Sequence, residues 1–444
     1  MSAERPRFAS RMGWILTMIG VAVGLGNVWR FPYMLGTFGG GAFLALYLIF
    51  VLGIGVPALL CEWGLGRETR RGTVGAFELA GFPNGRLVGW ILFGVVAAAT
   101  AYYTNVVGWV VWYAVGEVLR TAGASFEASS ALPPADGFSA RSLLMQMAAT
   151  GAVIAVCSVV LLRGVRRGTE RISTVVMPTL LFILLVLIVR AVTLPGAGAG
   201  VAWMFSIDPD ALTSEVVLAA LGQAVFSLSL GGTFMVVYGS YLPEGEPMLP
   251  GAFATALGDV TAGVLAGLAI FPAVFALGFE PASGPALLFE TVPSLFAAIP
   301  GGALFGLLFF CGLGAAALLS DVAAFEVLVA GLTDNLGISR KRAVRLLALV
   351  VFILAIPPMI NMQIFVPWDL TFGSGMQTLG ALAVVLTLGW SMSRARAMKA
   401  LGWAEEAPST PNKVLYLWIR WVVPIAIGSV GFWWVASTLL PALG

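Results

Sequence analysis

Long apolar runs alternate with short polar or basic connections along the whole chain. Eleven of these runs reach the roughly 20 residues that a helix needs to cross a bilayer core. They fall at 12–36, 42–66, 87–120, 143–162, 172–194, 214–241, 249–279, 301–333, 342–360, 369–393 and 414–440. Several are longer than a straight crossing requires, which predicts tilt or extension beyond the lipid. Two runs are interrupted by glycine near mid-membrane. The first reads Gly20-Val21-Ala22-Val23-Gly24-Leu25-Gly26-Asn27, and the sixth reads Ser227-Leu228-Ser229-Leu230-Gly231-Gly232-Thr233. Glycine costs about 1 kcal/mol relative to alanine inside a helix. Taken alone, each cluster fits either unwound backbone lining a cavity or close helix contact through small residues. Their positions add information: spans one and six are corresponding members of two five-span sets, 1–5 and 6–10. Paired interruptions in matching halves point to a binding site between inverted repeats. The expected fold is an all-α polytopic membrane protein with inverted five-helix repeats, broken helices 1 and 6, and an eleventh helix. Residues 1–444 then form one transmembrane domain, with repeat one at about 12–194, repeat two at about 214–393 and the extra helix at about 414–440.

Composition agrees with this reading. Of 444 residues, 59% are apolar and 10% charged, and the mean hydropathy is +0.96; a soluble domain carries about 25% charged residues. The first run is too long for a cleavable signal and no small-residue cleavage site follows it. Cys61, Cys157 and Cys311 lie in or beside apolar runs and are expected to be buried and unpaired. Histidine is absent, which excludes histidine metal sites and a Ser–His catalytic pair. With the N-terminus placed in the cytoplasm, 20 of the 24 Lys and Arg residues fall inside; only Arg30, Arg120, Arg141 and Arg190 do not. The positive-inside rule therefore predicts N-in, C-out. It also explains the basic loops as topology signals, leaving no nucleic-acid patch to account for.

Ionisable groups at membrane depth are few: Arg30, Glu62, Asp259, Asp321 and Glu326, with Asp369 near an outer edge. Such groups are costly unless paired or solvated, and each is a functional candidate. Glu62 and Glu326 equally fit support of polar backbone, and Arg30 fits snorkelling to the interface. Asp259 and Asp321 are too central to snorkel, which leaves a functional role or a structural ion pair.

At these positions the chain resembles the neurotransmitter:sodium symporter family, in its bacterial eleven-helix form. The run Ala22-Val23-Gly24-Leu25-Gly26-Asn27-Val28-Trp29-Arg30-Phe31-Pro32 is similar to the family's first-helix signature. Further matches are Gly39-Gly40-Gly41-Ala42-Phe43, Glu62-Trp63, Tyr102-Tyr103, Gly222-Gln223, Phe226 to Gly231, Gly267 to Pro272 and Ser339-Arg340-Lys341, in order and at family spacing. The resemblance implies a first sodium site at the Ala22 carbonyl, Asn27, Ser227 and Asp259. It implies a second at the carbonyls of Gly20, Val23, Ala316 and Leu319 with the Ser320 hydroxyl. Two bound Na+ ions are thus expected. The Leu25 and Gly26 amides and the Tyr103 hydroxyl would hold a substrate carboxylate, and Phe226 would lid the pocket. Val21, Ala22, Ala99, Ser227, Ser229, Gly232, Ser320 and Ala324 line it by position. Arg30 and Asp369 would form an outer gate, and Arg5 and Asp334 an inner one.

Three departures from the family refine the expectation. Asp259 stands where many members have Asn, and Gly263 offers no hydroxyl, so chloride should be unnecessary. Asp321 follows Ser320 and is a candidate ligand for sodium, a proton or a cationic group. Gly232 and Ala324 replace what are often larger residues, which implies a roomy apolar pocket for a bulky hydrophobic or aromatic side chain. The expected function is sodium-coupled symport of a neutral amino acid by alternating access, with a proton-coupled carrier on the same fold as the alternative. The expected partners are a small-molecule amino acid and the lipid bilayer of a bacterial inner membrane, with no nucleic acid and no obligate protein partner. A channel lacks support because no filter motif repeats, and an enzyme lacks support because no catalytic motif is present. Gly168 and Pro178 bracket the inner start of the fifth span as a candidate hinge.

Overall fold

The computed structural model describes residues 8, 10–124, 131–243, 245–282, 287–403 and 409–439. Among them all regular structure is helical. The first span is two helices, α1 (Arg11–Ala22) and α2 (Gly26–Thr37), bent by 52° at their junction. There follow α3 (Gly41–Thr69), a short α4 (Thr73–Leu79), α5 (Gly85–Thr121), α6 (Ala140–Leu162) and α7 (Gly168–Val192). The surface helix α8 (Ala197–Phe205) leads to the sixth span, again in two pieces, α9 (Ser214–Ser227) and α10 (Phe234–Gly239). The second half continues with α11 (Met248–Ala276), α12 (Thr291–Ala298), α13 (Gly302–Leu336), α14 (Arg340–Ala355) and α15 (Met362–Ser391). A short α16 (Arg394–Ala400) and α17 (Thr410–Ser437) complete the chain.

Eight of these helices are long and apolar enough to cross a membrane, and the α1–α2 pair makes a ninth span. The two remaining expected spans are the divided α9–α10 and the 16-residue α14, which ends ahead of Pro357-Pro358. Both are shorter than a straight crossing because their backbone is interrupted, by the glycine break and by prolines that cannot continue a helical ladder. The tenth span starts at Met362, seven residues before the expected 369. Asn361 caps it, its side-chain oxygen accepting from the Ile364 amide at 3.1 Å, a stronger start signal than the apolar run.

Polar side chains fix the seams between helices. Arg340 on α14 reaches Glu326 on α13 with N–O distances of 2.5 and 3.0 Å, and Tyr241 donates to the same carboxylate at 2.8 Å. This buried cluster gives Glu326 a structural role, because breaking one member would strand a charge in an apolar core. Helices α3 and α10 touch backbone to backbone: a Cβ on Gly66 would lie 1.8 Å from the Val236 carbonyl oxygen, and one on Gly239 2.6 Å from the Trp63 Cα. Cys61 and Cys157 are buried and unpaired as expected, but Cys311 is exposed on the outer side of α13, where lipid takes the place of protein packing.

Candidate transport site

The two helix breaks face each other in the interior. Val23 leaves α1 in an extended conformation and α2 begins at Gly26, so the carbonyls ending one half-helix and the amides opening the next meet in one place. Opposite them, Ser229 and Thr233 hold φ of 54° and 55°, flanking Gly231 at 83°. Two non-glycine residues in the left-handed region within five positions are costly, and such strain collects at functional sites. Glu62 on α3 supports this loop, accepting the Gly231 amide at 2.6 Å.

One side of the break carries a carboxylate among donors. Asn27 Nδ2 donates to Asp259 Oδ1 at 2.6 Å and to Ser227 Oγ at 3.2 Å, while Ser227 Oγ donates to Asp259 Oδ2 at 2.7 Å. All three residues are buried. Tyr47 donates to Asp259 Oδ2 at 3.0 Å and contacts Ser227 Oγ at 3.2 Å. The Asn27 oxygen accepts from the Gly24 amide at 3.1 Å, which pins the unwound turn to the cluster. One carboxylate among neutral oxygens is a donor set suited to a monovalent hard cation. Sequence reasoning omitted Tyr47; its place in an otherwise apolar third-helix start gave no signal. Gln223 was noted only as part of a motif; its Nε2 donates to the Gly26 carbonyl at 3.2 Å.

On the other side, Ser320 on α13 donates to the Val23 carbonyl at 3.2 Å. Ala316 and Leu319 lie on the same helix in the core, and Leu319 packs against Gly20. Ser173 of α7 also faces Gly20. The neighbouring Asp321 does not join this group. It points away between α5 and α6, where Thr104 donates to Oδ1 at 3.0 Å and Cys157 Sγ lies 3.5 Å from Oδ2. A one-residue step turns the side chain by roughly 100° around a helix, so Ser320 and Asp321 serve different faces.

Between the breaks lies a cavity of about 60 Å³. Of the expected pocket residues, Val21, Ala22, Gly26, Ala99, Tyr103, Phe226, Ser229, Ser320 and Ala324 line it, joined by Gly24, Thr100, Tyr102, Phe234 and Gln377. Tyr103 accepts from the Leu25 amide at 3.4 Å. Ser227 turns to the carboxylate cluster instead. Gly232 does not open space as expected: a Cβ there would lie 2.0 Å from the Phe234 ring, which occupies the room. Phe226 separates this cavity from an outer one of about 220 Å³ that includes Arg30 and Tyr33. A larger cavity, about 690 Å³, lies apart at the basic end of the bundle among Arg67, Arg70 and Lys399, away from either break.

The Arg30 guanidinium stacks 4.0 Å above the Phe226 ring, and its Nε is buried without a hydrogen-bond partner among the described residues. Arg30 and Asp369 make no direct ion pair here, although Tyr102 stands beside Asp369 and both charges border the same region. Asp334 accepts the Gly72 amide at 2.7 Å, while its expected partner Arg5 lies outside the described residues.

The sodium:neurotransmitter symporter family model matches residues 5–122 and 140–367. The chain belongs to this family. A Bacillus subtilis sodium-dependent transporter, YhdH, is 32% identical across 96% of this chain and 97% of its own length. The mouse sodium-dependent neutral amino acid transporter B(0)AT3 is 31% identical over 60% of this chain and 48% of that protein. Among solved structures, MhsT in complex with L-phenylalanine superposes with a TM-score of 0.83 at 34% identity, covering 96% of this chain and 99% of that one. This symporter is therefore a sodium-dependent secondary transporter integral to a membrane, not an enzyme. Its helices follow the inverted-repeat arrangement with broken first and sixth spans.

Proposed function

We propose that this protein carries a neutral amino acid with a bulky hydrophobic or aromatic side chain into a bacterial cell, coupled to sodium and without chloride. The observation that carries the reading is the Asn27–Ser227–Asp259 cluster set against the unwound first span, beside an apolar cavity with one tyrosine at its amide end. Sodium would bind there with the Ala22 carbonyl, and a second ion would take Gly20, Val23, Ala316, Leu319 and Ser320. The substrate carboxylate would sit at the Leu25 and Gly26 amides and Tyr103. The bound L-phenylalanine of MhsT supports an aromatic side chain as first candidate. Two observations favour chloride independence: Asp259 already supplies the negative charge, and Gly263 packs against the Phe31 ring where a hydroxyl would be needed. The excess of Lys and Arg in alternate loops favours an N-terminus on the cytoplasmic side of an inner membrane and a C-terminus outside. Proteoliposomes with an inward sodium gradient should accumulate L-phenylalanine above equilibrium, equally well in chloride or gluconate. No accumulation of any neutral amino acid would reject the reading, and strong chloride dependence would reject its anion half.

Two further expectations concern movement between states. Arg30 and Asp369 would pair when the outer path closes, with Phe226 as the lid between them. Arg30→Ala is expected to cut uptake by about tenfold or more while equilibrium binding changes little, since the lost interaction belongs to closure and not to the pocket. Parallel uptake and binding assays check this; equal losses in both would place Arg30 in the pocket itself.

The inner start of the fifth span is the second. Residues Val165–Glu170 form a widened helical turn, Pro178 interrupts the ladder further on, and Ser173 and Met177 between them face Gly20. Loosening this turn would open the second sodium site toward the cytoplasm. Amide exchange over 169–177 is expected to slow when sodium is added. Equal exchange with and without sodium, together with normal uptake by Pro178→Ala, would remove the hinge.

A further inference from the structure

The geometry points to Phe234 as the residue that sets the size of the side-chain pocket, acting as one unit with Gly232. Resting on the amino-acid reading above, this names the part of the site that selects among apolar side chains.

The argument begins with backbone. The sixth span ends its first half at Ser227 and resumes at Phe234, the first residue of α10. Thr233, just before it, has a φ of 55° and shares a 2.7 Å hydrogen bond with Thr73. This left-handed turn, anchored from outside, directs the Phe234 ring back over the break it follows. There the ring meets Gly232: a Cβ at 232 would lie 2.0 Å from Cε2 and 2.5 Å from Cδ2. Both distances are far inside van der Waals contact, and only glycine lets the ring settle there.

The same ring also lines the cavity, together with Val21, Ala99, Thr100 and Ala324. Phe234 is only partly buried, and two of the other lining residues, Ala99 and Ala324, have little side chain to adjust. It is therefore the largest movable apolar wall of the pocket, apart from the lid Phe226. A flat apolar substrate side chain would pack against it, and the depth left for that side chain depends on where this ring lies. The space that the missing side chain of Gly232 leaves belongs to Phe234 in the fold.

A double-mutant cycle tests this, using the full-length protein in detergent with a panel of Ala, Leu, Phe and Trp in sodium. Phe234→Ala should raise Trp above Phe in affinity order and weaken Leu by about tenfold, as expected for loss of a packed aromatic wall. Gly232→Phe alone places two rings in one volume, and should lower the melting temperature without ligand and weaken every panel member. Combining Gly232→Phe with Phe234→Ala should restore the melting temperature and bring the parental order back, because one ring again fills the site. Additive losses in the double variant would overturn the proposal, as would an unchanged order in Phe234→Ala. The ligand-free melting temperatures report the ring overlap separately, so a parent that binds no amino acid rejects the transport reading and this assignment by a different result from a failed cycle.

Discussion

Asp259→Asn is expected to weaken sodium binding by about tenfold to a hundredfold. The parental carboxylate accepts from Asn27 on one oxygen and from Ser227 and Tyr47 on the other. Hydrogen bonds to a charged group contribute about 1.5–3 kcal/mol each, more than neutral ones. An amide in its place turns an NH2 toward groups that already donate, whichever way it is oriented. The cation also loses the only charged side chain among its proposed ligands, in an interior where little water screens it. Sodium titrations of substrate-induced thermal stabilisation measure the change directly. A sodium midpoint unmoved by the substitution would take Asp259 out of the ion site. Chloride that rescues the variant but leaves the parent indifferent would show that the carboxylate stands in for an anion.

Glu62→Ala should cost roughly 3 kcal/mol of stability and abolish binding of substrate. Glu62 lies in the core, and its Oε1 holds the Gly231 amide at 2.6 Å in a stretch that carries two of the four non-glycine residues of positive φ among the described residues. Removing the acceptor leaves a buried N–H without a partner, at about 1–3 kcal/mol, and opens a cavity beside it. Because that stretch carries Ser229 on one side and Phe234 on the other, its loss of shape would reach both walls of the pocket. Glu62→Gln keeps an oxygen at the same place and should recover most of the melting temperature. An alanine variant that melts and binds like the parent would show that the loop holds itself in place.

Much of this arrangement could be read from the chain before any fold was known, and the reasons are physical. Bilayer depth forces long apolar runs, so every crossing left a mark in the sequence, including α14 despite its 16 residues. Glycine clusters marked the breaks because few other residues tolerate unwinding there. What escaped notice were contacts that depend on direction. Tyr47 sits in an apolar run, and nothing in that run says that its hydroxyl reaches Asp259. Asp321 seemed to belong with Ser320, but adjacent residues on a helix face different neighbours, and its partners are Thr104 and Cys157. Gly232 suggested empty volume, since a sequence does not say which neighbour takes the space a missing side chain leaves. Helix starts were misplaced where a cap such as Asn361 outweighed hydropathy.

The glycine seam between α3 and α10 has a mechanical meaning. Two backbones in direct contact have no side chains between them to slide or re-pack, and the Gly66–Val236 and Gly239–Trp63 approaches leave no slack for a cushion. Any displacement of the inner half of the sixth span must then carry the second span with it, as a welded strut and not a free rod. The loop at Gly231, held by Glu62 from that same second span, travels as cargo on the strut. Rearrangement during a transport cycle is thereby pushed outward to the softer joints, at the first-span bend and the widened turn of α7.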